Sequence, residues 1–234
     1  MIPSRGGAVS RAMLLAAGRG ERLRPITDTL PKPLVEIAGK PLIVYHLEAL
    51  ARAGIRDAVI NLSWLGEKIR SALGDGARHG VRIAYSEEGP VPLETGGGIY
   101  RALPLLGPDP FLVVNADVWT DIDFARVQSL DADADARLLL APNPRHHPRG
   151  DFGLDGEFVV EREADRFTYT GIGVYRPEFF AGCVAGKFPL LPLLTRSIAA
   201  RRLRGEVYRG EWLDIGSPDR LAWLDGRERA ARGI

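Results

Sequence analysis

The sequence predicts an α/β protein with a mixed, mainly parallel sheet wrapped by helices and a small strand-rich lobe in its second half. Three observations carry that expectation. Apolar runs of strand length alternate with segments of helical period through residue 115, glycines close elements of both kinds, and from Ala136 onward the pattern turns mostly to strands. Parallel neighbours need crossover connections, so a β-α-β-α-β order with strands apolar on both faces implies helices packed on the two sides of one sheet.

Residues 13–17, MLLAA, have the length of a strand buried on both faces, and Gly18 and Gly20 end it. Ile43, Leu47 and Leu50 then recur at helical spacing, with Gly54 as the C′ glycine. A short β-branched strand over 57–62 is followed by a helix with Leu65, Ile69 and Leu73 on one stripe and Gly74 at its end. Residues 81–86 form the third strand. PLETGGGIYRALPLLG opens on glycines and continues as a helix with Ile99, Ala102, Leu103 and Leu106 on one face. The apolar strand in FLVVNADVWTD stops at Asn115 and Asp117. Beyond it, 137–141 reads as a strand, NPRHHPRGD as a loop, DFGLDGEFVVE as a hairpin centred on Asp155 and Gly156, and 167–175 as a further strand. FPLLPLLTRSIAARR is helical and broken by prolines. YRGEWLDIGSP reads as a short hairpin bearing Asp214, and Ser217 and Pro218 as N-cap and first residue of a last helix with Leu221 and Leu224 inward.

A chain of 234 residues buries about 70% of its unfolded surface. The expected organisation is one domain over residues 11–234 behind a flexible extension, residues 1–10. With 31 basic and 30 acidic residues the net charge is +1, which gives no support to nucleic-acid binding. The single cysteine, Cys183, has no neighbouring His or Asp to activate it and reads as a structural thiol. MIPSRGGAVS has no apolar core of signal-peptide length and no stretch reaches a membrane span, so a cytoplasmic protein without membrane or nucleic-acid partners is expected.

The chemistry concentrates in AMLLAAGRGERLRPITDTLPKPL. Gly18 and Gly20 free backbone N–H groups to approach a ligand, and Arg19, Arg22, Arg24 and Lys32 follow at once. Together they fit a polyphosphate cradle, with Arg as bidentate fork and Lys as point charge. A surface turn with solvated charges fits the same spacing. No Walker string occurs, and Leu23 stands where the dinucleotide fingerprint needs its third glycine. Asp117, at the end of a buried strand, equally fits a turn residue or a carboxylate facing a cleft, and Asp214 taken alone is a solvated turn residue. The four histidines, His46, His79, His146 and His147, show no transition-metal spacing.

LAAGRGERLRPIT, PKPL and then Gly39, Pro41 and Leu42 of GKPL resemble, at every fixed position, the signature of the sugar-phosphate nucleotidyltransferases. PLETGGGI, NADVWTD, NPRHHPRGDF and YRGEWLDIGS extend the resemblance, nearly throughout the chain, to the compact N-acetylmuramate 1-phosphate uridylyltransferases. The resemblance implies a Rossmann-like, GT-A-like fold with the strand-rich lobe covering a sugar. It implies Mg²⁺-dependent transfer of a nucleotidyl group from UTP to a sugar 1-phosphate in peptidoglycan recycling. A mannose or glucose 1-phosphate nucleotidyltransferase, or a non-catalytic nucleotide-sugar sensor that kept the fold, are the alternatives.

Carried over by motif, Ala16, Ala17, Gly18, Arg19, Gly20, Glu21 and Arg22 wrap the nucleotide, with Glu88, Glu94, Thr95 and Gly96 near the base. Arg22, Lys32 and Asp117 are the catalytic residues, and Asp117 and Asp214 the metal ligands. Asn115, Arg149, Asp151, Glu161, Thr170 and Gly171 are expected around the sugar, with Arg149 reading an acidic substituent. Two positions depart from the family. Glu88 stands in for a base-reading amide; a carboxylate only accepts, which suits uracil N3–H or the N1–H and N2–H₂ of guanine and repels the N3 acceptor of cytosine. Glu94 stands where many relatives have glycine.

Overall fold

The computed structural model describes residues 9–234; most of the expected extension, residues 1–8, lies outside them. Val9 is already core: its side chain is buried and its N–H donates to the Gln128 carbonyl at 3.2 Å. In chain order the elements are β1 (Arg11–Leu15), α1 (Ile26–Thr29), β2 (Glu36–Ile37), β3 (Lys40–Pro41), α2 (Leu42–Arg52), β4 (Asp57–Leu62), α3 (Gly66–Leu73), β5 (Arg82–Glu87), α4 (Glu94–Leu106) and β6 (Phe111–Asn115). There follow β7 (Val118–Thr120), β8 (Ala136–Ala141), β9 (Phe152–Asp155), β10 (Phe158–Val160), β11 (Arg166–Tyr175), α5 (Leu191–Ala199), β12 (Leu203–Val207), β13 (Trp212–Asp214) and α6 (Pro218–Arg232).

Nine strands form one sheet in the order β5-β4-β1-β6-β11-β8-β12-β10-β9. Along β1, Ala12 and Leu14 join the core under one sheet face and Met13 the core under the other, as alternation in a doubly covered strand requires. Leu47, Leu50, Ile69 and Leu73 of α2 and α3 fill the first core; Ile99, Ala102 and Leu106 of α4 and Leu193 and Leu194 of α5 fill the second. Each fully buried Ile or Leu contributes about 2 kcal/mol, which carries α4 although it holds three glycines and Pro104. No helix among the described residues is long and apolar enough to cross a membrane.

The structure corrects several expectations. β5, β4, β1 and β6 run parallel, as does the pair β8 and β12, but β6–β11, β11–β8, β12–β10, β10–β9 and β11–β9 are antiparallel, so the sheet is mixed, with no majority of parallel pairs. The strand-rich half continues the same sheet. β1 lies two residues earlier than expected, because the Ala16 N–H leaves the ladder and donates to the Asn61 side chain at 2.7 Å. Leu65 sits at φ +52° as the residue before α3, outside the helical stripe. The β9–β10 turn is Gly156–Glu157, since Asp155 pairs with Phe158. β12 was not expected at all. No hairpin forms around Asp214; β13 pairs instead with β7, antiparallel, in a separate two-stranded ladder. Ser217 does cap α6, accepting from the Arg220 N–H at 3.4 Å, and Leu224 is buried beneath it.

Candidate active site

After β1 the chain crosses to β4 and β5 on one side, then returns through α4 to β6 on the other, so the strand order reverses at β1. Ligands bind at such a switch point, outside the carboxyl ends of the strands. A cleft of about 540 Å³ lies there, lined by the 15–23 loop, Lys32, Asn61, Glu88, Glu94, Thr95, Asn115, Asp117 and Gly216. The expected Ala16, Ala17, Gly18, Arg19, Gly20, Glu21 and Arg22 all line it. Gly18 faces open space. Gly20 holds φ +65°, and its carbonyl accepts from the Leu23 N–H at 2.9 Å and from the buried Thr27 hydroxyl at 2.8 Å. The threonine that closes the RLRPIT motif therefore shapes the loop from behind.

Sequence reasoning missed Asn61. It is buried at the end of β4; its carbonyl oxygen receives the Ala16 N–H, and its amide donates to Glu88 Oε1 at 2.6 Å. Glu88 Oε2 accepts the Leu93 N–H at 2.7 Å. This chain ties the ends of β1, β4 and β5 to the start of α4. Glu88 lines the cleft as expected, but both its oxygens already serve protein donors, which makes it a brace for Asn61 first. The missed signal was present: DAVINL ends an apolar strand on an amide, as FLVVN does.

Glu94 opens α4 at φ +61°, a conformation that costs a non-glycine residue on the order of 1 kcal/mol or more. Its ion pair with Lys187 Nζ at 3.4 Å joins side chains 42% and 56% exposed and contributes well under 1 kcal/mol. Gly96 does not line the cleft. A side-chain carbon there would meet the Phe188 ring at 2.6 Å, so this glycine serves packing.

Asp117 and Asp214, far apart in sequence, come together through the small ladder: Asp214 pairs with Val118, and the Ile215 N–H donates to the Asp117 carbonyl at 2.9 Å. Lys32, only 9% exposed, donates to Asp117 Oδ2 at 2.6 Å. Asp214 Oδ2 accepts from Arg220 at 3.0 Å, with Arg22 at 3.9 Å. Gly216 makes that convergence possible, since any side chain there would collide with Arg220 and Asp214. Asp214 Oδ1 is buried and has no hydrogen-bond partner, although His146 Nε2 lies 2.8 Å away out of bonding geometry. An orphaned buried carboxylate oxygen beside a second carboxylate is what a hard cation would satisfy. Two carboxylates at strand ends match the small number of protein ligands that Mg²⁺ takes when phosphate oxygens and waters complete its shell.

A second hollow, about 350 Å³, adjoins the first and is lined by Arg22, Asn115, Asp117, Asp214, His146, His147, Thr168, Tyr169, Thr170 and Trp212. Of the residues expected around the sugar, Asn115 and Thr170 are here. Gly171, at φ +76° in the irregularity of β11, packs directly on Asn115 without lining the hollow. Arg149 and Asp151 line a separate cavity on the far side of the 144–150 loop. Asp151 braces that loop, accepting from the Tyr169 N–H at 2.7 Å beside His147. Glu161 faces neither hollow and accepts from the Thr195 hydroxyl. The loop thus presents its histidines, not its arginines.

His46, buried behind β7, lies 2.7 Å from the Val118 carbonyl, and its ring N–H donates to it. Burial holds its pKa down to about 4, against an ordinary 6.5. The unfolded chain binds this proton more readily, so stability is full above pH 6.5 and falls as pH drops towards 4, by about 2 kcal/mol at pH 5. Urea midpoints measured from pH 7.5 to 5 should show that slope, and His46→Gln, which keeps a donor for Val118, should flatten it.

A family model described as nucleotidyl transferase matches residues 11–166. The N-acetylmuramate alpha-1-phosphate uridylyltransferase of Neisseria meningitidis is 51% identical over 90% of this chain and 95% of its own length. The protein of the same name from Caulobacter vibrioides is 37% identical over 88% and 92%. Among solved structures, a putative glucose-1-phosphate thymidylyltransferase from Bacillus anthracis superposes with a TM-score of 0.80 at 20% identity, over 94% of this chain and 95% of its own, a likeness of fold.

Proposed function

Because the chain belongs to the nucleotidyl transferase family, matched over residues 11–166, we propose that it transfers a uridylyl group from UTP to a sugar 1-phosphate, with N-acetylmuramate α-1-phosphate as the acceptor. The products are the UDP-sugar and pyrophosphate. One observation carries this reading: Arg22, Asn115 and Asp117 line both hollows, so a triphosphate in the larger and a sugar phosphate in the smaller would meet at a shared wall. The relatives' names supply the base and the sugar.

A phosphate monoester, with its second pKa near 6, is largely a dianion at neutral pH and attacks the α-phosphorus without a protein nucleophile or general base. The protein's task is in-line placement and charge neutralisation. The 16–20 loop cradles the triphosphate with backbone N–H groups; Arg22 holds the departing pyrophosphate; Lys32 stands at the meeting point of the two anions. Asp117 and Asp214 would hold Mg²⁺, which when bound supplies positive charge to the reacting phosphates. Arg220 hydrogen-bonds Asp214 and Lys32 hydrogen-bonds Asp117, which orients the two carboxylates.

Pyrophosphate release measured across four nucleoside triphosphates and several sugar 1-phosphates tests the reading. UTP with N-acetylmuramate 1-phosphate should lead; a grid led by GTP with mannose 1-phosphate would replace the substrates, and a silent grid would leave a sensor. The sugar side carries its own test. His146→Ala should raise the KM for the sugar 1-phosphate about tenfold, the scale of one charged hydrogen bond, with the KM for UTP little changed. Arg149→Ala should change neither. The opposite pattern would return the acidic substituent to Arg149.

A further inference from the structure

The cleft keeps a glutamate where the backbone favours glycine. Glu94 holds its left-handed conformation because the residues around it are tied down: the Leu93 N–H donates to Glu88, the Phe188 N–H donates to the Leu93 carbonyl at 3.1 Å, and the Gly97 N–H donates to the Phe188 carbonyl at 3.0 Å. None of these bonds uses the Glu94 side chain, and glycine would satisfy all of them without strain. The half-exposed bridge to Lys187 does not offset that strain. A strained residue lining a ligand cleft points to work done by its side chain.

Its chemistry narrows the work. Each oxygen of the neighbouring Glu88 already accepts one protein donor, from Asn61 and from Leu93, which fixes that carboxylate in place and leaves Glu94 as the less committed acceptor on this wall. An anion gains nothing by facing a triphosphate, but it accepts readily from the neutral donors of a nucleoside. We propose that Glu94 is a specificity-determining residue that accepts a hydrogen bond from the nucleoside of the bound triphosphate, from the imide N–H of the base or from a ribose hydroxyl. The inference rests on the nucleotidyl transfer reading above and names a reader within that site.

Titration calorimetry without sugar phosphate tests it. The wild-type protein is first titrated with the four common nucleoside triphosphates, and the tightest becomes the probe, so a failure of the uridylyl reading leaves this test standing; binding of none overturns both. Glu94→Gly should weaken the probe at least tenfold, the scale of a hydrogen bond to a charged group, with a melting temperature equal to or above wild type. Glu94→Gln, whose carbonyl still accepts, should recover most of the affinity. The 2′-deoxy and 3′-deoxy analogues and an N3-methylated base then locate the donor: the one that costs wild type affinity but not Glu94→Gly is the partner. Affinity within twofold of wild type in Glu94→Gly, or an equal loss in Lys187→Ala with a lowered melting temperature, would make Glu94 a structural pin and overturn the proposal.

Discussion

Asp117→Asn and Asp214→Asn should each lower kcat by two to three orders of magnitude while the protein stays folded. The effect is large because each carboxylate is assigned to the cation that offsets the charge of two reacting phosphates, and losing such charge commonly costs about 3–4 kcal/mol. The fold should survive for local reasons. Asn is nearly isosteric with Asp, and its carbonyl can still accept from Lys32 at position 117 or from Arg220 at position 214. The β7–β13 ladder that aligns the two positions is made by backbone. Turnover against Mg²⁺ concentration, with circular dichroism and melting temperature as controls, checks this. A variant that keeps more than about a tenth of wild-type turnover would remove that carboxylate from the metal site.

How much of this was legible in the sequence differs from element to element, for physical reasons. Strand 57–62 and the helices around Leu47 and Ile99 were plain, because burial on one or both faces writes a period into the chain. The glycine loop was plain because a long run of fixed positions resembles the family signature, whereas its Gly-x-Gly spacing alone also fits a surface turn. The β7–β13 pairing was not, since strands of three residues carry no period, and which partner each takes is decided by the fold. It is this pairing that turns Asp214 from a turn residue into a neighbour of Asp117. β12 was hidden because LRGEV directly follows Arg201 and Arg202 and places a charge inside the strand. Its Arg204 is buried against Phe158 and paired with Asp133, a compensation visible only in three dimensions. The loop NPRHHPRGD was hard to read for the converse reason: its basic residues carry no period, and only the fold sets Arg149 at a separate cavity while His146 and His147 line the hollow.

Lys32→Ala should depress turnover by about two to three orders of magnitude with every nucleotide the enzyme accepts, and by a similar factor for each. Lys32 comes from the PKPL segment, is almost fully buried, and has Asp117 as its hydrogen-bond partner at 2.6 Å. A desolvated ammonium acts on phosphate charge far more strongly than an exposed one, because little water screens it. It reads charge rather than base edges, so the order of preference among nucleoside triphosphates should be unchanged. Lys32→Arg should not restore the rate: the planar fork cannot occupy the place of a compact, almost fully buried ammonium held on Asp117 without displacing that carboxylate. Steady-state constants for UTP and for the next-best triphosphate, compared between wild type and Lys32→Ala, decide the matter. A shift in base preference, with turnover on the best substrate largely kept, would move Lys32 out of the phosphate site and leave Arg22 as the remaining cation at the wall shared by the two hollows.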